Sequence, residues 1–147
     1  MTTETGSADL KPMTPFIKHH ADGRPYLSGS KCGACGEVYV GERSTCARCA
    51  ARGVMETVEL STKGKLYNFT VVHRSFPGVV TPFVSAIVEL EGGGSLKGNL
   101  IDVEPDPKTL KFDMPVDVVF ADAGKADRQG GRYLTYFFKP QNAQVRA

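Results

Sequence analysis

A chain of 147 residues, 41% hydrophobic and 23% charged, has the composition of an ordinary soluble globular protein with room for one domain or two small ones. No apolar run approaches the ~18 residues needed to span a membrane. The formal charge of +2 is too small to draw the chain to nucleic acid as a whole.

Residues 1–13 are polar, with Thr, Glu, Ser and Asp and no apolar stretch of the kind an export signal needs. They read as a mobile tail of a cytoplasmic protein. From Pro15 the chain carries Phe16 and Ile17, then His19, His20 and Asp22-Gly23, a short helical or extended arm ending in a turn. Two turns of helix do not stand alone in water, so this arm is expected to dock on the ribbon that follows or on another chain. Residues 1–24 are thus a flexible tail and docking arm.

Residues 25–53 hold all four cysteines as two CxxC pairs, Cys32-Gly33-Ala34-Cys35 and Cys46-Ala47-Arg48-Cys49. Each CxxC bends the backbone so that two sulfurs point at one spot, and two such bends supply the four soft ligands of a tetrahedral zinc site. With every position filled, such a metal holds the fold and does no chemistry. Two disulfides would need an oxidising compartment. Rubredoxin-like iron uses the same ligands, but so short a loop between the pairs favours zinc. Gly33 and Gly36 fit knuckles that need positive φ near the second cysteine. Tyr26, Leu27, Val38, Tyr39 and Val40 are the apolar residues available to pack around the site. Four thiolates and one zinc would take the formal charge of +2 to zero.

From Val54 to the end the pattern is strands. Val54, Glu56, Val58 and Leu60 read as a lead-in strand. Gly64 to His73 alternates, with Tyr67, Phe69 and Val71 on one face and Asn68 and Thr70 on the other. Phe83 to Leu90 puts Val84, Ala86, Val88 and Leu90 on one face, and Glu91-Gly92-Gly93-Gly94 turns it into Ser95 to Val103 as a hairpin. Pro105-Asp106-Pro107 ends pairing. A segment with Leu110 and Phe112 leads to a strand from Pro115 to Phe120, and a polar loop, Asp122 to Gly131, precedes the last strand, Arg132 to Lys139. The fold class expected is mainly β, with the arm and zinc ribbon followed by a five-stranded OB-fold barrel over residues 54–147, its third strand bent or bulged at Gly98. The three glycines between strands read as a turn and not as an anion cradle.

The order of these pieces resembles the acyl-CoA-associated zinc-ribbon/OB-fold family: Cys-x-x-Cys-Gly, then Cys-x-x-Cys, Gly64-x-Leu66, Pro82-Phe83-Val84, Val88-Glu89-Leu90, Leu96-Lys97-Gly98 and Met114-Pro115-Val116. The likeness covers roughly residues 15 to 140. Where the family usually has prolines between its cysteine pairs, this chain has Gly41-Glu42-Arg43-Ser44-Thr45. The resemblance implies a small accessory subunit of thiolase-like enzymes, such as two-component benzoylsuccinyl-CoA thiolase or steroid side-chain aldolases. In it the partner carries the nucleophilic cysteine and the CoA pocket, and the small subunit docks beside that pocket and completes it. CoA thioester is then a ligand of the complex.

The residues agree with a non-catalytic part. If Cys32, Cys35, Cys46 and Cys49 all bind zinc, no thiol is left to carry an acyl group. The loop Arg74-Ser75-Phe76-Pro77-Gly78-Val79-Val80-Thr81-Pro82 joins the first two barrel strands, where OB-folds commonly take ligands, and offers Phe76, Val79 and Val80 to a partner or acyl chain. Arg74, Lys97 and Arg132 are candidates for acidic groups of CoA, and His73 for a ligand carbonyl or carboxylate. His19 and His20 read as structural or solvated. The competing expectation is nucleic-acid binding through Phe69, Phe83, Tyr133 and Tyr136 as a stacking platform. Against it stand the absence of a basic cluster and the acids Glu89, Glu91 and Asp117 on or beside the same strands.

Overall fold

A computed structural model of the chain describes residues 10–126 and 128–141. Its strands in chain order are β1 (Lys11–Pro12), β2 (Ile17–His19), β3 (Pro25–Cys32), β4 (Val38–Val40), β5 (Met55–Glu59), β6 (Lys63–Val72), β7 (Phe83–Leu90), β8 (Ser95–Leu100), β9 (Pro115–Ala126) and β10 (Arg132–Pro140). A single turn of 3₁₀ helix, Pro107–Thr109, starts at the Asp106 cap, whose carboxylate accepts from the Lys108 amide.

Strands β6, β7, β8, β10 and β9 pair in that order, and β9 pairs back onto β6, so the sheet closes. Strand β8 runs parallel to β10 through Leu100 and Phe138, the one parallel contact within the closed sheet. This is the five-stranded OB barrel, closed by β6–β9 pairing over Lys63–Lys65 and by the β8–β10 contact, so each of its five strands has a neighbour on both sides. Alternation on β7 holds as read: Val84, Ala86, Val88 and Leu90 are all buried, and β8 follows through a turn whose three glycines all have positive φ.

On β6 the alternation fails at one point. Leu66 pairs with Val88 and Asn68 with Ile87, leaving Tyr67 as the extra residue of a bulge. Tyr67 is therefore exposed, and the inward set is Gly64 and Leu66 before the bulge, Phe69 and Val71 after it. Gly98 is not a bulge, since β7 and β8 pair without interruption from Val84–Leu100 to Glu89–Ser95. A Cβ there would lie 2.8 Å from the Tyr136 ring and 3.1 Å from that of Phe138, so the glycine makes room for aromatic side chains of β10. Strand β9 extends to Ala126, into what the sequence reads as a polar loop. Asp122 and Arg132 pair across the hairpin at 2.6 Å.

The ribbon is a second sheet. Residues Pro25–Leu27 of β3 pair with β2, and its later residues with β4 on one side and β5 on the other. The lead-in strand is thus a ribbon strand. The arm is extended from Ile17 and entered through a turn at Phe16, Ile17 being 2% exposed and Phe16 packing on the Tyr136 ring at 5.9 Å. Of the expected tail, residues 1–9 lie outside the description, while β1 pairs with β10 and the Met13 amide donates to the Leu134 carbonyl at 2.8 Å. Ile17, Leu27 and Leu60 of the ribbon side share one apolar cluster with the barrel core around Leu66, Val88, Val116, Leu134 and Phe138. The β7–β8 turn closes the junction: Gly93 lies so near Val38 that a Cβ would come within 2.6 Å of that side chain. No described helix is long and apolar enough to cross a membrane.

Candidate metal centre and binding loop

Cys32 ends β3, and its knuckle is stitched into the sheet: the Cys32 amide donates to the Glu37 carbonyl and the Gly33 amide to that of Val54, both at 2.8 Å. The turn closes with the Gly36 amide on the Cys32 carbonyl at 2.9 Å, and Gly36 has φ +86°. Gly33 serves differently. Its φ is ordinary, but a Cβ would meet the Val54 carbonyl oxygen at 2.8 Å. The second knuckle repeats the first, with the Ala50 amide on the Cys46 carbonyl at 2.9 Å and Ala50, at φ +66°, standing where Gly36 stands in the first.

These turns bring the four sulfurs within 4.8 Å of one another. Cys32 and Cys49 are 3.7 Å apart and Cys35 and Cys46 3.6 Å. A tetrahedron with zinc–sulfur arms of about 2.3 Å has edges of about 3.8 Å, so the cluster has the dimensions of a four-thiolate site and could hold a metal ion. A sulfur–sulfur bond, at about 2.05 Å, is much shorter than these separations. The two buried sulfurs also receive donors. Amides of Ala34 and Cys35 point at Cys32 Sγ at 3.4 and 3.5 Å, and those of Arg48 and Cys49 at Cys46 Sγ at 3.3 and 3.5 Å.

Tyr39 adds a further donor, its hydroxyl 3.4 Å from Cys46 Sγ. That hydroxyl, then the Cys49 and Arg48 amides, pull the Cys46 thiol down to about 6. Cys32 is lowered as well, chiefly by the Cys35 amide. At Cys35 the Glu37 amide pulls downward, but removal from water and the three crowding thiols outweigh it and push the thiol up to about 12. Sulfurs packed this closely resist shedding every proton unless a cation offsets the charge.

The sequence places Tyr39 among the apolar residues around the site but does not show what its hydroxyl does. In the run Val38-Tyr39-Val40 it looks like one more apolar strand residue, and nothing local shows that its hydroxyl reaches across to the second knuckle. Arg43 lies over its ring, 4.3 Å from the centroid. Beside it a cleft of about 560 Å³ opens between ribbon and barrel, with Arg43, Glu37, Glu89 and Leu90 in its walls. Its two sides come from segments some fifty residues apart, which no local pattern joins.

The loop from Arg74 to Pro82 lies on the surface. The Val79 amide donates to the Phe76 carbonyl at 3.1 Å, with Pro77 second in the turn and Gly78 third at φ +90°, the requirements of a type II turn. It holds Phe76 82% exposed, Val79 40% and Val80 85%. His73 and Arg74, at the root of the loop, are also exposed. Lys97 is not with them: it pairs with Ile87, four residues along β7 from the loop's end at Phe83, or about 13 Å at the rise of a strand. Arg132 is engaged by Asp122, whose carboxyl it holds below its ordinary value.

Two of the four aromatic residues of the expected platform are engaged elsewhere. Tyr136 lies between Phe16 and Phe138, its hydroxyl donating to the Lys97 carbonyl, and Phe69 packs against the core and the ring of Phe112. His20 faces Glu59 at 3.2 Å and stacks on Tyr26, a structural placement.

Residues 57–121 match the family described as ChsH2, C-terminal OB-fold domain. A DUF35 domain-containing scaffold protein of Methanothermobacter thermautotrophicus is 31% identical over 133 residues, covering 88% of this chain and 98% of that protein. The benzoylsuccinyl-CoA thiolase subunit BbsA of Thauera aromatica is 30% identical over 125 residues, 84% of this chain and 83% of its own length. Among solved structures, an Ltp2-ChsH2(DUF35) aldolase matches with a TM-score of 0.59 at 28% identity, over 78% of this chain and 84% of the matched chain.

Proposed function

The chain belongs to the family of DUF35 domain-containing scaffold proteins, and on that premise we propose that it is a zinc-bearing, non-catalytic subunit of a thiolase-like acyl-CoA enzyme. The observation that carries this is the gathering of all four thiols into one closed cluster. A chain whose only cysteines are metal ligands has no acyl-carrying nucleophile, so carbon–carbon cleavage or formation by a thiolase route needs a partner's cysteine. Two relatives point the same way, one a thiolase subunit and one an aldolase built with a DUF35 chain.

In this reading Cys32, Cys35, Cys46 and Cys49 hold one structural zinc, whose binding free energy sustains a ribbon too small to fold by burial alone. The loop carrying Phe76, Val79 and Val80 docks on the partner beside the acyl-CoA cavity, with His73 and Arg74 at its rim. Benzoylsuccinyl-CoA thiolase is the type of complex it fits.

The test is reconstitution with a thiolase-like subunit that co-purifies with the chain. Acyl-CoA turnover should require both chains, and the purified small chain should carry about one zinc. Turnover by this chain alone that survives repurification, or full activity of the partner without it, would overturn the reading.

A further inference from the structure

The two cysteine pairs are not held alike. The first knuckle grows out of an eight-residue strand and is bonded to the carbonyls of Glu37 and Val54. The second sits on no strand. Thr45 and Arg52 share an isolated bridge, and the backbone bonds from Cys46 to Ala51, Ala50 to Cys46 and Gly53 to Ser44 are all internal to that loop.

Besides the sulfur contacts Cys32–Cys49 and Cys35–Cys46 at the cluster itself, hydrogen bonds tie this loop to the sheet at two points among the described residues. One is Arg48 with Glu37, 3.4 Å apart with both side chains exposed, a pair of the kind water and salt weaken. The other is the Tyr39 hydroxyl. It accepts from the Ala47 amide at 3.0 Å and the Arg48 amide at 3.2 Å, and donates to Cys46 Sγ. One donor and two acceptor positions are all a hydroxyl has, and all three are spent on a single four-residue turn. Tyr39 itself is fixed by pairing with Ser30 in the strand that runs on to Cys32, and by the Arg43 guanidinium over its ring.

We propose that the Tyr39 hydroxyl is a positioning group for the metal site: it seats the second cysteine pair against the first and keeps Cys46 in place, so that it governs how long the site retains its metal. The proposal rests on the zinc reading above. Its chemistry is that of a donor outside the ligand set, which orients a ligand and spreads the charge of a four-thiolate site. Removing such partners typically costs 10- to 100-fold in metal affinity.

The test uses the full chain and Tyr39→Phe, which keeps the ring beneath Arg43 and deletes only the oxygen. Zinc transfer to a chromogenic chelator should speed up by about 10-fold or more. Alkylation followed by mass spectrometry should show Cys46, buried in the parent chain, labelled ahead of Cys32 in the variant. Glu37→Gln, which cuts the other tie, should change release by less than about 3-fold, in keeping with an exposed pair. Release within twofold of the parent and an unchanged labelling order in Tyr39→Phe would overturn the assignment, as would equal acceleration by Glu37→Gln. If Tyr39→Phe loses the cobalt(II)–thiolate charge-transfer band while the strand signal persists, the hydroxyl is needed for the site to form at all, which supports the proposal. Loss of the strand signal as well overturns it, because the hydroxyl's hydrogen bonds all lie within the ribbon. Should the parent chain carry no zinc, the metal reading fails separately, and the labelling order of the metal-free chains still decides for or against Tyr39.

Discussion

Replacing Phe76 and Val79 together with serine tests whether the β6–β7 loop is a binding surface or only a connection. Fully burying a Phe or Val side chain is worth about 1.5–3 kcal/mol. Phe76 is 82% exposed and Val79 40%, so a partner that covers both gains about four fifths of one such increment and two fifths of the other. The sum is about 2–3.5 kcal/mol, a weakening of roughly 30- to 300-fold in the double variant. Folding should weaken by no more than about 1–2 kcal/mol, the three fifths of Val79 and one fifth of Phe76 already covered in the chain, since the turn itself is held by a backbone bond and by Pro77 and Gly78, none of which is touched. Titration calorimetry with the thiolase-like subunit measures the first quantity; metal content and thermal melting of the isolated chain check the second. Unchanged affinity with an intact fold would refute the reasoning, and the interface would then have to be sought on the exposed face of the ribbon, since Ile17 of its arm is buried in the core.

Cys46→Ser should lose both zinc and the ribbon's protection from proteolysis while the barrel keeps its strand signal, because three ligands do not hold so small a sheet; a ribbon that stays folded in strong chelator would contradict this. Gly98→Ala sets two effects of opposite sign against each other. A Cβ in contact with Tyr136 and Phe138 costs about 1–3 kcal/mol of overpacking, whereas removing a mid-strand glycine returns about 0.5–1. A net loss of about 1–2 kcal/mol in denaturant melts is expected, partly restored by Tyr136→Leu; net stabilisation would show that the rings give way. The Asp122 carboxyl should titrate below its ordinary 3.8, held down first by Arg132 and then by the Gly124 amide. Its contribution to stability is therefore present above that value and lost as pH falls through the lower folded one. Arg132→Gln should bring the carboxyl's NMR midpoint back up, and no rise would mean the pair is not formed in solution.

Local chemistry in the sequence determined a good deal of this protein. Two CxxC pairs bend the backbone whatever surrounds them, so the gathering of the four thiols could be read from eight residues. Alternation on Phe83–Leu90 and a turn of three glycines determined a hairpin with Val84, Ala86, Val88 and Leu90 inward, because a strand's side chains have a period of two wherever its pairing is uninterrupted. Where pairing is interrupted the period misleads. The bulge at Tyr67 turns an apparent core residue outward, and that bulge is a property of β6 and β7 together. The same holds for Met55–Glu59, which pairs with β3 rather than opening the barrel, and for Lys11 to Met13, which lie along β10. Which strand takes up a given edge depends on segments distant in the chain. Tertiary structure alone also decided what the polar groups do: Arg132 is taken by Asp122, Lys97 stands apart from the loop, and the Tyr39 hydroxyl spans from one knuckle's sheet to the other knuckle's turn. A hydrogen bond depends on the placement of two groups to within a fraction of an ångström, and only the packed core sets positions that finely.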